Sequence, residues 1–128
     1  MFLFLFISLA FSQIEGQWLT EDKSGVIEIT KVGEHFEGKV VGGEKKGDGL
    51  DAKNPDPALR SRELMGLVVL KNLKKDGDEF TGGEVYDPNT GNTYKAKARL
   101  QADGSLKLRG YIGISLFGRN EIWTRHQP

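Results

Sequence analysis

Apolar and polar residues alternate along residues 93–100, and this pattern constrains the fold more than any other feature of the chain. One side would carry Tyr94, Ala96, Ala98 and Leu100, and the other Thr93, Lys95, Lys97 and Arg99. Successive side chains of a β-strand point to opposite sides, so the pattern predicts a strand with one buried and one solvated face. Such strands are typical of antiparallel sheets.

The same reasoning predicts eight strands, at about 16–20, 25–32, 35–41, 67–73, 79–87, 93–101, 105–112 and 116–125. Short segments with turn residues, such as Asp76-Gly77 and Asp103-Gly104, separate most of them and favour hairpins. We therefore predict an all-β fold, an eight-stranded antiparallel up-and-down β-barrel without exposed strand edges. A two-sheet sandwich is the alternative. The interior of such a barrel is either filled by side chains or holds one small ligand.

Only one predicted connection is long, that at 42–66. Within it, Asp56 suits a helix N-cap, Pro57 the first helical position and Gly66 the position after the helix. The sequence thus predicts a short helical insert at about 57–65 that covers an open end of the barrel.

The two ends of the predicted barrel each carry a residue suited to closing it. Trp18 lies on the first strand and Arg125 on the last. These strands are neighbours in a closed barrel, so the guanidinium can stack on the indole, which contributes about 0.5–2 kcal/mol.

The first twelve residues, MFLFLFISLAFS, form an apolar run that is too short to span a bilayer. The run is typical of a secretory signal, with Ala10-Phe11-Ser12 as its cleavage site, although a positive N-terminal region is missing. We predict a signal peptide at 1–12, one barrel domain at 13–128, and a periplasmic or secreted location in a bacterium. A buried N-terminal strand is the alternative.

The charge balance narrows the range of partners. Lys and Arg number 18, as do Asp and Glu, which gives a net charge of zero. This argues against a nucleic-acid binder, and weak self-repulsion allows a monomer or a weak dimer. The chain has no cysteine, so disulfides and thiolate nucleophiles are excluded.

Several motifs occur in a characteristic order along the chain. They are Gly16-Gln17-Trp18, Asn54-Pro55-Asp56-Pro57-Ala58-Leu59-Arg60-Ser61-Arg62, Gly83-Glu84-Val85-Tyr86-Asp87-Pro88, Arg109-Gly110-Tyr111 and Trp123-Thr124-Arg125. The chain resembles the bacterial family of domain of unknown function 2147. That resemblance implies a small exported protein with a lipocalin-like barrel and implies no reaction. Family members often carry Pro and Cys where this chain has Glu63 and Met65, so a thiol-based role cannot apply here.

Two arginines of the insert are candidate ligand contacts. Arg60 or Arg62 could reach an anionic ligand at the barrel mouth, since a guanidinium binds carboxylates and phosphates in a bidentate way. Alternatively, both hold the insert against the barrel rim or its acidic residues.

The last strands raise a question of side-chain direction. Arg119, Glu121 and Trp123 share one face, so an inward Trp123 would bring charge into the barrel. Arg109 and Tyr111 also share a face, which the regular alternation places outside. A bulge at Gly110 would turn Tyr111 inward and form a polar clamp for a ligand.

Tyr86 and Tyr94 flank one hairpin, where they either contact a ligand or pack across the strand pair. We identify no catalytic residues, metal ligands or cofactor motif in the sequence. The sequence therefore predicts an exported protein that binds a small hydrophobic or amphipathic ligand. The alternative is a structural or interaction module of the cell envelope with a filled core. Enzymatic activity is the least favoured class.

Overall fold

The computed structural model describes residues 14–44, 47–114 and 116–127. The predicted signal peptide at 1–12 lies outside the described residues. Within the described ranges, no helix is long and apolar enough to cross a membrane.

Eight β-strands form one closed antiparallel barrel. Their bounds are β1 Gly16–Leu19, β2 Gly25–Val32, β3 His35–Gly43, β4 Val68–Asp76, β5 Glu79–Asp87, β6 Asn92–Leu100, β7 Leu106–Tyr111 and β8 Gly118–Arg125. Each strand pairs with the next along the chain, and β8 pairs with β1. The predicted up-and-down barrel is confirmed, and the sandwich alternative is excluded by the pairing of the first and last strands.

The pairing of β1 with β8, which we call the seam, brings together Trp18 and Arg125 from the two ends of the chain. Trp18 lies opposite Arg125, whose Cζ atom is 4.0 Å from the centroid of the Trp18 ring. Arg125 Nη1 also donates a 2.7 Å hydrogen bond to the carbonyl of Glu15. Gly16 has a φ of +121°, and a Cβ atom there would lie 2.9 Å from Arg125 Nη1. Glycine is therefore required at the position where the arginine crosses the start of β1.

The hydrophobic core fills the end of the barrel that carries the β2–β3, β4–β5 and β6–β7 hairpins. The rings of Phe36 and Phe80 meet edge to face, with centroids 5.3 Å apart. Trp18 is fully buried beside them and donates a 2.9 Å bond from Nε1 to the carbonyl of Ile14. The largest fully buried apolar side chains are Trp18, Phe36, Ile14, Ile29, Leu70, Leu73 and Leu106.

The β3–β4 connection, which we call the insert and which is described over 47–67, contains less helix than predicted. Its helical part is a single 3₁₀ turn, Pro57–Leu59, capped as predicted by Asp56, whose side chain accepts a 3.0 Å bond from Ala58 N. The prediction that the helix continues to residue 65 is wrong. Asp51 N donates to Arg62 O and Leu64 N to Gly49 O, so the later residues pair with an earlier part of the insert. Those residues cannot also form helical hydrogen bonds.

Candidate functional site

A cavity of about 1140 Å³ opens at the end of the barrel that carries the β1–β2, β3–β4, β5–β6 and β7–β8 connections. The apolar part of its wall includes Ile27, Val40, Val69, Val85, Leu108 and Trp123. The barrel is thus filled at one end and open at the other, with the insert bordering the mouth.

Gly110 keeps part of this space open. A Cβ atom at Gly110 would lie 3.5 Å from Tyr94 Cβ and 3.8 Å from Val85 Cγ1, so this position faces the cavity. Both distances are ordinary van der Waals contacts, and Gly110 has no positive φ. A larger residue is therefore compatible with the backbone and would occupy the cavity.

The direction of Trp123 determines the chemistry of the interior. Trp123 is buried and lines the cavity, whereas the next residue back, Ile122, is on the outer surface and 38% exposed. Trp123 Nε1 donates a 2.7 Å hydrogen bond to Glu121 Oε1. Arg119, two residues further toward the mouth, also lines the cavity and is exposed. The open half of the barrel therefore combines an apolar wall with charged groups on β8.

Arg109 and Tyr111 lie on the outer face, as the regular alternation predicted. The pairing of β7 with both neighbours runs without a bulge, so Gly110 does not reverse the direction of Tyr111. Arg109 Nη1 donates a 2.9 Å bond to Asn120 Oδ1, and the residue does not line the cavity. Tyr111 contributes to the rim of the cavity. The alternative of an Arg-x-Tyr clamp inside the barrel is therefore wrong.

The two tyrosines of the β5–β6 hairpin face different ways. Tyr94 points inward and lines the cavity, and its hydroxyl accepts a 3.3 Å bond from Asn92 Nδ2. Tyr86 pairs with Thr93, one position away from the inward pair Val85–Tyr94, so its side chain points toward the insert, where it also lines part of the cavity.

Asp51 is the fully buried centre of a hydrogen-bonded cluster between the insert and β5. Its Oδ1 accepts a 2.5 Å bond from the Tyr86 hydroxyl, and its Oδ2 accepts 2.9 Å bonds from Asn54 Nδ2 and Arg62 Nε. The Arg62 guanidinium lies 5.8 Å from the Tyr86 ring centroid. We call these four residues the Asp51 cluster.

The Asp51 cluster shifts two pKa values in opposite directions. Burial acts to raise the pKa of Asp51, but hydrogen bonds from Tyr86, Asn54 and Arg62 and the charge of Arg62 outweigh it and lower the pKa. Burial, the hydrogen bond to Asp51 and the Asp51 charge raise the pKa of Tyr86 to about 12. Asp51 is thus ionised and Tyr86 neutral at neutral pH, and the cluster holds the insert rather than supplying a nucleophile.

Both candidate arginines bond within the insert. Arg60 Nε donates a 2.6 Å bond to the carbonyl of Asn54, and Arg60 Nη2 donates a 3.4 Å bond to Pro55 O. Arg62 is engaged by Asp51, and neither arginine lines the cavity. The sequence did not single out Asp51 as a partner, because the residues that it binds lie 3, 11 and 35 positions away and share no local pattern.

In the part of the chain that the structure describes, no group of three or more His, Cys, Asp or Glu side chains is arranged to hold a metal ion. Asp87 stabilises the β5–β6 turn, where its carboxylate accepts a 2.9 Å hydrogen bond from Asn89 N.

A family model described as "Uncharacterized protein conserved in bacteria (DUF2147)" matches residues 16–125, which include all eight strands. The chain belongs to this bacterial family. The DUF2147 match includes the seam, the insert and the cavity wall. No curated protein matches the chain.

One solved structure supports the fold assignment of this DUF2147 member. Protein HP1028 from Helicobacter pylori, described as belonging to the lipocalin family, superposes with a TM-score of 0.80. The match covers 89% of this chain and 83% of that chain, with 22% sequence identity. The fold is therefore lipocalin-like.

Proposed function

We propose that this protein is an exported binding protein that holds one small apolar or amphipathic molecule in the open half of the barrel. The observation that carries the proposal is the cavity of about 1140 Å³ with an apolar wall, bordered by the insert. Small-molecule sites are usually concave and mostly apolar, with a few polar groups that fix orientation. An eight-stranded barrel is the size that accommodates one small ligand.

The distribution of polar groups favours an amphipathic ligand. Val85, Leu108 and Trp123 would contact an apolar body, because they form the wall below the mouth. Arg119 and the Tyr94 hydroxyl lie where a polar group of the ligand would reach, and Glu121 is already bonded to Trp123. The ligand would therefore enter with its apolar part first, since burying a polar group without a partner is unfavourable.

The insert would act as a fixed border of the mouth. Asp51, Arg60 and Arg62 use their hydrogen bonds to hold the insert in place, so we assign the two arginines a structural role and no direct ligand contact. The Tyr86 hydroxyl also holds the insert, through Asp51, and Tyr86 in addition lines the cavity.

Export is part of the proposal because of the apolar run at 1–12, which has the length and the small residues of a secretory signal. The alternative, an envelope interaction module with a filled core, is less favoured by a barrel that is open at one end. We assign no reaction.

Native mass spectrometry of the protein purified from the bacterium that produces it tests the proposal. We expect a mass above that of the polypeptide, which is lost when the protein is denatured in organic solvent. Extraction and fragmentation would then give the chemical class of the bound molecule. A polypeptide mass alone, together with failure to bind any apolar probe after purification, would contradict the proposal.

A further inference from the structure

The β7–β8 connection presents a cluster of large apolar side chains to solvent at the mouth of the cavity. We define the β7–β8 loop as residues 112–114, 116 and 117. Its exposed side chains are Ile112 at 68%, Ile114 at 58%, Leu116 at 74% and Phe117 at 68%. Exposed apolar residues are common singly, but a contiguous group of them marks an interaction surface.

Hydrogen bonds hold the β7–β8 loop in this exposed position. Phe117 N donates a 3.0 Å bond to Ile114 O, which closes a turn within the loop. From the outer face of the barrel, Lys95 Nζ donates to Gly113 O at 3.3 Å and Arg109 Nη2 to Leu116 O at 3.4 Å. The main chain of the loop is thus bonded to the barrel, while its apolar side chains remain in water.

The two strands that lead into this region carry charge of one sign. β6 and β7 contain five cationic residues and no carboxylate. All five lie on the outer face, and we call them the basic face: Lys95, Lys97, Arg99, Lys107 and Arg109. The whole chain has zero net charge, so the basic face is a local asymmetry.

The basic face brings like charges together across the β6–β7 pair. Lys97 lies directly opposite Arg109, and Arg99 lies opposite Lys107. Like charges in opposite positions of a sheet are destabilising. Arg99 is compensated by Asp78 and Glu79 at 3.5 Å, at the end of the strand that is remote from the β7–β8 loop. Glu84 of β5 lies opposite Lys95, so the cations that face each other nearest to the loop are Lys97 and Arg109.

We propose that the β7–β8 loop and the basic face dock this protein on an anionic lipid bilayer. The apolar side chains of the loop would enter the boundary between headgroups and acyl chains, and the cations would face the headgroup phosphates. The charge complementarity selects an anionic membrane over a neutral one. Ile112 and Phe117 also line the cavity, so docking places the cavity mouth beside the bilayer.

The charges of the mouth determine how the protein would approach. Glu21 and Glu63 line the cavity from the β1–β2 connection and the insert, whereas Asp87 and Glu121 line it nearer to β6 and β7. Anionic lipid would repel these groups within a Debye length of about 8 Å. The protein would therefore dock tilted onto its β6–β7 side, with Glu21 and Glu63 turned away from the lipid.

Flotation with vesicles tests the proposal, with either phosphatidylcholine alone or an equal mixture of phosphatidylcholine and phosphatidylglycerol. We expect flotation with the mixture and little with phosphatidylcholine alone. All variants are compared as the full protein in the form that cells accumulate, with the N-terminus identified by mass, so any contribution of residues 1–12 is common to all. Equal flotation with both vesicles, or none with either, would overturn the proposal.

Two variants and two matched controls locate the surface. The double variant Leu116→Ser/Phe117→Ser should lose about tenfold or more in vesicle partitioning, as expected from removing buried apolar area. Lys97→Glu should lose about fivefold or more, since each cation near an anionic surface contributes on that scale. This change places a carboxylate opposite Arg109, and circular dichroism checks that the variant is folded.

The controls make the same kinds of change, loss of an apolar side chain and reversal of a charge, on β2 at the opposite side of the barrel. Val32→Ser removes a side chain that is 51% exposed, and Lys31→Glu reverses an exposed charge. Neither should change flotation. Controls that fall as far as the test variants would overturn the proposal.

Two further results separate this inference from other accounts. If the β7–β8 loop instead binds a second copy of the chain, sedimentation will show a dimer that Leu116→Ser/Phe117→Ser abolishes, without vesicle binding, and the proposal is overturned. Docking does not require a filled cavity, so flotation should persist in Gly110→Leu, which places a side chain in the cavity. Failure of ligand binding and failure of docking are therefore distinguishable.

Discussion

The hydroxyl of Tyr86 on β5 donates a 2.5 Å hydrogen bond to Oδ1 of Asp51, which lies 35 residues earlier in the insert. This bond connects the insert, which borders the barrel mouth, to a strand of the wall. Since Asp51 is fully buried, each of its hydrogen bonds compensates for the loss of water around a charged group. The position of the insert thus depends on a few polar contacts.

Tyr86→Phe should reduce the free energy of unfolding by about 1.5 kcal/mol, because it leaves one buried oxygen of Asp51 without a donor. Urea denaturation followed by circular dichroism measures this change. Tyr94→Phe is the matched control, since its hydroxyl accepts only an exposed 3.3 Å bond, and it should change stability by less than about 0.5 kcal/mol. Equal effects of the two substitutions would contradict the role of the Asp51 cluster.

Asp51→Asn should destabilise the protein by about 2 kcal/mol, because it removes a buried carboxylate charge that accepts hydrogen bonds from Arg62 and Tyr86. Limited proteolysis should cut the insert faster in this variant. Asp78→Asn provides the comparison: the Asp78 side chain is 83% exposed, its ion pair with Arg99 is 3.5 Å long, and the expected loss is below about 0.5 kcal/mol. A stable, protease-resistant Asp51→Asn protein would show that the insert is held in another way.

The pH dependence of stability should have two limits set by the Asp51 cluster. The folded pKa of Asp51 lies below its ordinary value of 3.8, so its contribution is present above that value and is lost as the pH falls through the folded pKa. The folded pKa of Tyr86 is raised from 10.0 to about 12, so its contribution is complete below pH 10 and is lost as the pH rises to about 12.

Urea midpoints measured from acid to alkaline pH separate the two groups. Asp51→Asn should flatten part of the acid limb, and Tyr86→Phe should flatten part of the alkaline limb. Identical profiles for Tyr86→Phe and the unchanged protein above pH 10 would rule out Tyr86 as the source of the alkaline loss.

Arg125→Ala should destabilise the barrel by about 1–2 kcal/mol, because it removes the stacking on Trp18 and the hydrogen bond to Glu15 O. Thermal unfolding measures the loss. Arg99→Ala, which removes only exposed ion pairs at 3.5 Å, should have a smaller effect. If Arg99→Ala is the more harmful change, the seam is not stabilised by this contact.

The sequence predicted the barrel well because its signals are local or lie at the ends of the chain. The alternation around Ala96 and Ala98 follows directly from strand geometry, and the Trp18–Arg125 contact follows from closing the barrel. The predicted helix of the insert was too long, because the N-cap residues determine only where a helix begins and not where it ends. What ended the helix was the pairing of Arg62 and Leu64 with an earlier part of the insert.

The candidate site was harder to predict for a physical reason. The alternation along β8 places Arg119 and Trp123 on the same face of the strand. Only the closed barrel shows that this face is the inner one. The partners of Asp51 are distant in sequence, so no periodicity or motif brought them together. In the sequence, the apolar residues of the β7–β8 loop look like the start of a strand. Their exposure to solvent is visible only in the folded structure.

Titration with a neutral, apolar naphthylamine fluorophore tests the central claim that the open half of the barrel binds an apolar or amphipathic molecule. Gly110→Leu places a side chain in the cavity without backbone strain, and Thr93→Leu adds a similar side chain on the exposed outer face of the neighbouring strand. We predict saturable binding of one fluorophore per chain that Gly110→Leu weakens by about tenfold or more and Thr93→Leu leaves unchanged. Equal binding by all three proteins, or no saturable binding by the unchanged protein, would contradict the claim.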